Sequence, residues 1–423
     1  MAIGPHRRVR RRARDHVRAA QPGGRAGHAD EPAPERGRAQ PAHHGTARGR
    51  GALDPRLPDA PTGDRGRPHA RARAARLGHR DERRRAARAA AAHALKGTPL
   101  RIVYWAKLQL AKKEIIAALD AVPGVELQVT TTLEETLAAL PGAHALALVH
   151  GPQHEARQVF AALTAPGSTV KWMHFISAGR EGYEELGWPP GIIVSYAGGG
   201  VSPAVAEHAM ALMLALVRRV PDMVQVVMAR RAWDRTLIAP KARALEGGTL
   251  AIVGFGHIGR ELAKRARAFD MRVVTVARTP QSDPNVDEAL PLSSLHAALG
   301  QADVVAVAIA LTPETTHLLD DAAFAACKPG ALVINVARGP VLDQKALVRA
   351  LQSGQLGGAG IDVSDPEPLP PDDPLWTCPN LIVSPHFAGS GSARSIERLA
   401  QGVADNLRRL MAGQPLQHVV SNG

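Results

Sequence analysis

The sequence predicts an α/β protein made of two successive parallel sheets covered by helices, preceded by an extension that belongs to neither. Three observations carry this. Short β-rich runs alternate with Ala- and Leu-rich helical stretches from about residue 100 almost to the end of the 423-residue chain. Those runs are near-continuously apolar, as strands buried on both faces are. All 14 aromatic residues lie at Tyr104 or later, so the material for a core begins there.

The first 97 residues differ in charge and in kind. The chain carries a formal charge of +13, but residues 1–96 hold 24 of its 52 basic residues and 9 of its 39 acidic ones. The remaining 327 residues carry 28 basic against 30 acidic, so the basicity is that of the extension and says nothing about what the rest binds. With 23 Arg among those 24 cations, many Pro and Gly and no aromatic residue, the stretch buries too little apolar area to offset chain entropy and is expected to be disordered. A transit peptide would be Ser-rich and acid-poor, whereas the first Ser here is Ser168; Arg7–Arg8 is followed by no apolar region that would signal export. An Arg-rich arm would lack aromatics to stack bases, so a nucleic-acid partner is unlikely from composition. A passive extension, or upstream sequence translated from a wrongly chosen start, is the simpler reading.

From Thr98 onward the composition is that of a soluble intracellular enzyme, and a cytoplasmic location is expected. No apolar run reaches the ~18 residues of a membrane span. Cys327 and Cys378 are too isolated for a disulfide framework or a metal site and read as core thiols, and no metal is expected.

In chain order, Arg101–Trp105, Val125–Val129, Ala145–Val149, Val170–Phe175 and Ile192–Ser195 read as strands, with helices such as Leu110–Ala121 and Leu133–Leu140 between them. Ser202 is expected to cap a helix with Pro203 in its first turn. Ala204–Val217 is apolar nearly all round, which marks it for a domain junction and a subunit interface. A second series follows: Thr249–Val253, Arg272–Ala277, Asp303–Ile309, Ala331–Val336, Gly358–Val363 and Leu381–Ser384. A last helix over about Ala393–Ala412 places Ile396, Leu399, Val403, Leu407 and Leu410 at spacings of three and four, and Gly413 stops it.

The second series carries the chemistry. Strand Leu250–Val253 runs into Gly254-Phe255-Gly256-His257-Ile258-Gly259 and then helix Arg260–Phe269, the context in which a Gly-x-Gly-x-x-Gly loop binds a dinucleotide pyrophosphate at a helix N-terminus. The next strand ends in Arg278-Thr279 where an acidic residue would hold the ribose of NAD. A guanidinium there suits a 2′-phosphate, so NADPH is favoured over NADH. Three more motifs each follow a strand and so fall at a C-terminal sheet edge: Val336-Ala337-Arg338-Gly339-Pro340-Val341-Leu342-Asp343, Gly360 to Pro368, and Ser384-Pro385-His386-Phe387-Ala388-Gly389. Arg, Glu and His converging there supply an anion clamp, a carboxylate to charge an imidazole, and a general acid.

On these ordered motifs, residues 98–423 resemble the D-isomer-specific 2-hydroxyacid dehydrogenase family, most closely its glyoxylate/hydroxypyruvate reductase branch. The resemblance implies two doubly wound parallel-sheet domains with an interdomain cleft. A flavodoxin-like substrate domain would span 98–202, completed by 389–423, and a Rossmann domain for NADP or NAD would span 203–388. It implies that Arg338 holds the substrate carboxylate and polarises the keto oxygen, and that His386 is the acid in reduction and the base in reverse. Glu367 would bond the other imidazole nitrogen, and Asp362 would meet the nicotinamide carboxamide. Ala178 and Gly179 would offer backbone N–H groups to the substrate carboxylate, and Thr312 and Ala337 would join the cofactor site with Gly254, Gly256, His257, Ile258, Gly259, Arg278 and Thr279. The partners implied are a small 2-oxo or 2-hydroxy acid and a second copy of the chain. Where the family more often has Gly-x-Asp this chain has Gly179-Arg180-Glu181.

Other residues receive plain readings. His150, His154, His174, His208, His296, His317 and His418 show neither ligand spacing nor an acidic partner in a motif. The ring of His257 is expected to matter less than its backbone, and Trp172, Trp188, Trp233 and Trp376 read as packing anchors. Two alternatives stay open: a dinucleotide-sensing binding protein, as the family's corepressors are, and a short phosphoglycerate dehydrogenase. Retention of Arg338, Glu367 and His386 together favours catalysis, since a sensor needs only the cofactor loop. Formate dehydrogenase would have Gln at position 367, and only ten residues follow Gly413, too few for a regulatory C-terminal domain.

Overall fold

The computed structural model describes residues 99–107 and 111–420; the expectations placed on the first 97 residues lie outside that range. The first sheet contains β1 (Leu100–Trp105), β2 (Val125–Thr130), β3 (Ala145–Leu148), β4 (Trp172–Phe175) and β5 (Ile193–Tyr196), joined by α1 (Lys112–Asp120), α2 (Leu133–Ala139) and α3 (Gln153–Thr164). Its order is β2-β1-β3-β4-β5, with every pairing parallel. Ala and Leu at every position of β3 are fully buried, as a strand covered on both faces requires.

After β5, α4 (Ser202–Val217) leads to the second sheet of β6 (Thr249–Val253), β7 (Arg272–Ala277), β8 (Glu288–Pro291), β9 (Val304–Val307), β10 (Ala331–Asn335), β11 (Leu356–Ile361) and β12 (Leu381–Val383). Helices α5 (His257–Arg267), α6 (Leu295–Leu299), α7 (Asp321–Ala326) and α8 (Gln344–Gln352) connect them. The order β12-β11-β10-β9-β6-β7-β8 is parallel throughout and reverses beside β6, which opens the switch point where such sheets bind ligands.

Chain order and packing part company at the end. Helix α9 (Ala393–Met411) returns to the first sheet, where Leu399, Val403, Leu407 and Leu410 pack with Leu100, Ile102, Ile115 and Leu119. Val419 then bridges antiparallel to Ser195 beside β5. The chain therefore passes between two lobes twice, once at the Gly198–Gly200 turn and once after Gly389. Arg398 ties the crossings together through a 2.9 Å hydrogen bond from Nε to the Gly200 carbonyl.

Two expectations need correction. Ser202 does not cap α4: it is the first helical residue, buried, with Val201 as the cap residue and no side-chain cap bond. Its N–H instead reaches the Gly199 carbonyl, so the glycine turn starts the helix. Helix α4 packs Val205, Ala209, Leu212, Met213 and Leu216 against α5 and β6 of its own lobe, while Glu207 and Ala211 stay exposed. Trp233 is fully exposed and Trp376 half exposed, so neither anchors packing, whereas Trp172 is buried with Nε1 2.8 Å from Ser195 Oγ.

The buried His174 gives the first lobe a pH response. Its Nδ1 lies 2.8 Å from Ser195 Oγ, its Nε2 has no partner, and burial, aided by the charge of His418, pushes its pKa down to about 3. A base depressed in the folded state binds fewer protons there than in the unfolded chain, so its contribution is full above the ordinary value of 6.5 and is lost as pH falls towards 3. Denaturant unfolding should show stability falling by about 2 kcal/mol between about pH 6.5 and about pH 5, above the range of ordinary carboxylates. A flat profile across that window would mean that the ring is protonated, or hydrated, in the folded protein.

Candidate active site

Each motif singled out in the second series stands at the C-terminal edge of its strand. The glycine loop follows β6, and each glycine has a different reason to be there. Gly254 has φ 99°, and a Cβ on it would lie 2.5 Å from the Ala308 carbonyl oxygen, so any side chain both strains the turn and strikes β9's exit. A Cβ on Gly259 would collide with the Gly254 carbonyl, which is what close packing of α5 on β6 means. Gly256 is exposed with open space around it, leaving its backbone approachable beside His257 and Ile258 at the start of α5. These residues fit a dinucleotide diphosphate by the donor set they present. Arg278 and Thr279 are exposed at the tip of β7. Asp283, the nearest following acid, is occupied by Arg260 Nη1 at 2.9 Å and by the Asn285 amide.

Thr312 stands after β9, capping a single turn with Thr315. Ala337 and Arg338 follow β10, and their loop is held from below by Asn335, which is wholly buried. Its Oδ1 accepts from the Ala337 amide at 3.0 Å and its Nδ2 donates to the Arg338 carbonyl at 3.0 Å. A Cβ on Gly339 would run into the Ser364 carbonyl, so the Arg338 loop is pressed against the segment that carries Glu367. The Arg338 side chain reaches across to the first lobe, donating from Nε to Glu181 Oε1 at 2.6 Å and from Nη1 to the Ala337 carbonyl at 2.7 Å.

His386 and Glu367 form the second half of the site. The imidazole Nδ1 lies 2.6 Å from Glu367 Oε1, both side chains are about two-fifths exposed, and Nε2 is the nitrogen left for a ligand. His386 has φ 49°, and Asp362 holds it there. The Asp362 carbonyl accepts the His386 N–H at 2.8 Å, and its carboxylate accepts from the Phe387 and Ala388 amides and from Ser384 Oγ. Asp362 is thus buried and engaged by the turn that presents the imidazole. Glu367 and His386 themselves line a cavity of about 400 Å³ together with Ser364, Leu369, Trp376 and Val383. A larger one of about 700 Å³, beside the first turn of α8, includes none of the residues singled out for chemistry.

The first lobe supplies the facing wall. Ala178 is exposed and Gly179 buried on the loop after β4, and among the described residues no protein group accepts from either amide N–H. Ser177 Oγ donates to the Gly179 carbonyl at 2.8 Å and lies 3.1 Å from His150 Nδ1. Burial pushes the His150 pKa down; Glu181 opposes this, while the charges of Arg338 and His386 both add to it. His150 Nδ1 also stands 3.2 Å from the place a Cβ on Gly179 would take.

Residues 210–388 match the family described as the D-isomer specific 2-hydroxyacid dehydrogenase, NAD binding domain. A glyoxylate reductase of Korarchaeum cryptofilum is 35% identical over 227 residues, covering 53% of this chain and 68% of that protein. Glyoxylate/hydroxypyruvate reductase B of an Enterobacter species is 38% identical over 224 residues, 52% of this chain and 68% of that protein. The chain belongs to the D-isomer specific 2-hydroxyacid dehydrogenase family. A D-3-phosphoglycerate dehydrogenase of Methanocaldococcus jannaschii is 30% identical over 73% of this chain and 57% of its own length. Among solved structures, the TT0316 protein of Thermus thermophilus superimposes with a TM-score of 0.60 at 34% identity, covering 76% of this chain and all of that one. This dehydrogenase is accordingly an oxidoreductase of small hydroxy and oxo acids that uses a nicotinamide dinucleotide.

The sequence reading of the dehydrogenase missed several residues. His208 does have an acidic neighbour: its Nε2 lies 2.9 Å from Ser384 Oγ and 3.6 Å from Asp362 Oδ1, beneath the His386 turn. The ring of His257 matters as well as its backbone, since it meets His418 edge to face at 5.7 Å and presses on Gly199 at the crossing between lobes. His150 faces the site. None of these three has a local motif, because each partner comes from a distant strand edge; only Glu181 left a signal, as a departure from Gly-x-Asp.

Proposed function

We propose that this chain is a reductase of glyoxylate and hydroxypyruvate with NADPH as the favoured cofactor, the first lobe with α9 binding substrate and the second binding nucleotide. The observation that carries the reading is the short Glu367–His386 pair at the C-terminal edge of the sheet that also carries Arg338, whose Nη2 stands at the Gly179 loop with His150. When bound, the nicotinamide supplies the hydride. The chain's own part is electrostatic and acid–base. The amides of Ala178 and Gly179 receive the substrate carboxylate, the Arg338 guanidinium stabilises negative charge growing on the keto oxygen, and His386 Nε2 gives that oxygen a proton. Glu367 fixes the ring through Nδ1 and leaves Nε2 facing the substrate. Asp362 is proposed to serve this turn first, with any contact to the carboxamide secondary.

Arg278 and Thr279 at the tip of β7 support the NADPH preference, since a guanidinium there suits a 2′-phosphate and the next acid in the chain, Asp283, is held by Arg260; the charge of Arg278 also reaches the exposed Glu314. The exposed apolar run of Val220, Met223, Val224 and Met228 after α4 supports a homodimer. Among the described residues no helix is long and apolar enough to cross a membrane, and a cytoplasmic enzyme is the reading kept.

The test is a steady-state comparison of NADPH with NADH on the full chain, which should sediment as a dimer, across glyoxylate, hydroxypyruvate, pyruvate and bulkier 2-oxo acids. NADPH should win, and Arg278→Ala should cut its advantage by tenfold or more, about 1.4 kcal/mol. A tenfold preference for NADH in the unaltered protein would refute the role given to Arg278.

A further inference from the structure

The reaction above makes no use of Glu181, yet its contact with Arg338 is, among the described residues, the one ion pair that joins the two lobes. Glu181 stands on the loop after β4 and Arg338 on the loop after β10, 157 residues apart. With Nε given to Glu181 and Nη1 to the Ala337 carbonyl, Nη2 is left at the Gly179 rim, where a Cβ on that glycine would lie 2.6 Å from it. Glu181 Oε2 lies 2.5 Å from the same point and has no hydrogen-bond partner. A cationic and an anionic group thus flank the place where the substrate carboxylate is received.

The charges around that place pair off. Burial pushes the Glu181 carboxyl up, but the charge and hydrogen bond of Arg338 more than offset this and hold it below the ordinary range, so it is ionised. Burial keeps His150 neutral, Lys107 is bound to Glu155 at 2.5 Å, and His386 is bound to Glu367. One substrate carboxylate is met by the free amides and the open end of the guanidinium. A second anionic group would find Glu181 and no free cation among the described side chains of this rim.

We infer that Glu181 is a specificity-determining residue that fixes the Arg338 guanidinium through Nε and turns away 2-oxo acids bearing a second anionic group. The inference rests on the reductase reading and narrows it to mono-anionic substrates. Exclusion by an unmatched like charge is a common route to selectivity.

The experiment compares hydroxypyruvate with its 3-phosphate ester in the full-length protein and in Glu181→Gln and Glu181→Asp. The unaltered enzyme should favour hydroxypyruvate by about 100-fold or more in kcat/KM. Glu181→Gln keeps an acceptor for Nε and loses the charge, so the preference should narrow at least tenfold through the KM of the ester. Glu181→Asp keeps the charge and loses the reach, so kcat should fall with the preference retained. An unchanged preference in Glu181→Gln, or two variants that behave alike, overturns the inference. Calorimetric binding of D-glycerate and D-3-phosphoglycerate, with thermal melts to certify folding, gives a readout independent of turnover. If the unaltered protein reduces no 2-oxo acid, the reductase reading has failed, and the ratio of these two affinities still decides on Glu181: equal binding of both, or of neither, overturns it.

Discussion

Replacing His386 with Asn should lower kcat for reduction of 2-oxo acids by about 10²- to 10⁴-fold, the range carried by a positioned general acid, while leaving nucleotide affinity unchanged. The choice of Asn follows from the backbone. Residue 386 has φ 49°, a left-handed conformation that costs most side chains free energy but that Asn adopts readily. The variant therefore retains the turn that Asp362 holds, with its two carboxylate-bound amides, and loses only the titrating nitrogen. His386→Ala would mix the chemical loss with backbone strain. Thermal melts separate the two causes: His386→Asn should unfold with the unaltered enzyme while its rate falls. A variant that keeps its rate would show that the proton comes from elsewhere.

Replacing Arg338 with Lys should cost about 10²-fold or more in kcat/KM despite the conserved charge, because a guanidinium acts through several fixed donors and an ammonium through a mobile point charge. Arg338 spends Nε on Glu181 and Nη1 on the Ala337 carbonyl, and only a planar group can do both and still present Nη2 to the Gly179 loop. The loss should fall on kcat as well as KM, since the charge on the keto oxygen grows towards the transition state. Asn335 sits beneath this arrangement with both of its polar atoms bound to the same loop, so Asn335→Ala should lower activity in the same direction. Equal kcat in the Lys variant would contradict the role assigned to the guanidinium.

Much of the fold is legible because parallel strands buried on both faces announce themselves as apolar runs. Thr249–Val253 and Arg272–Ala277 are found at the expected residues. Strand β8 is not legible: Glu-Ala-Leu-Pro at a sheet edge is half exposed and ends in Pro, so neither apolar continuity nor alternation marks it. The pairing of His386 with Glu367 could be anticipated, since each stands just past a strand and neighbouring parallel strands, β11 and β12, bring their ends together. The support of that pair could not. His208 lies on α4, 176 residues from its partner Ser384, and Glu181 reaches Arg338 from the other lobe. The first contact depends on packing within the second lobe and the other on how the lobes meet, and no local pattern encodes either. Trp233 misled for the opposite reason: a large aromatic residue implies burial by composition, but it follows an exposed segment with no core beneath it.

The central claim is that Arg338, Glu367 and His386 serve the reduction of a 2-oxo acid at C2. The most direct measurement is a single turnover of the full chain with excess glyoxylate or hydroxypyruvate and reduced nicotinamide nucleotide deuterated at the transferring carbon. The expected result is deuterium at C2 of the 2-hydroxy acid, with the D configuration where that carbon is otherwise asymmetric, and transfer about 10²- to 10⁴-fold slower in His386→Asn although the nucleotide still binds. Retention of all the label on a tightly bound nucleotide, with no 2-oxo acid reduced, would contradict the account and leave a protein that senses dinucleotides on this fold.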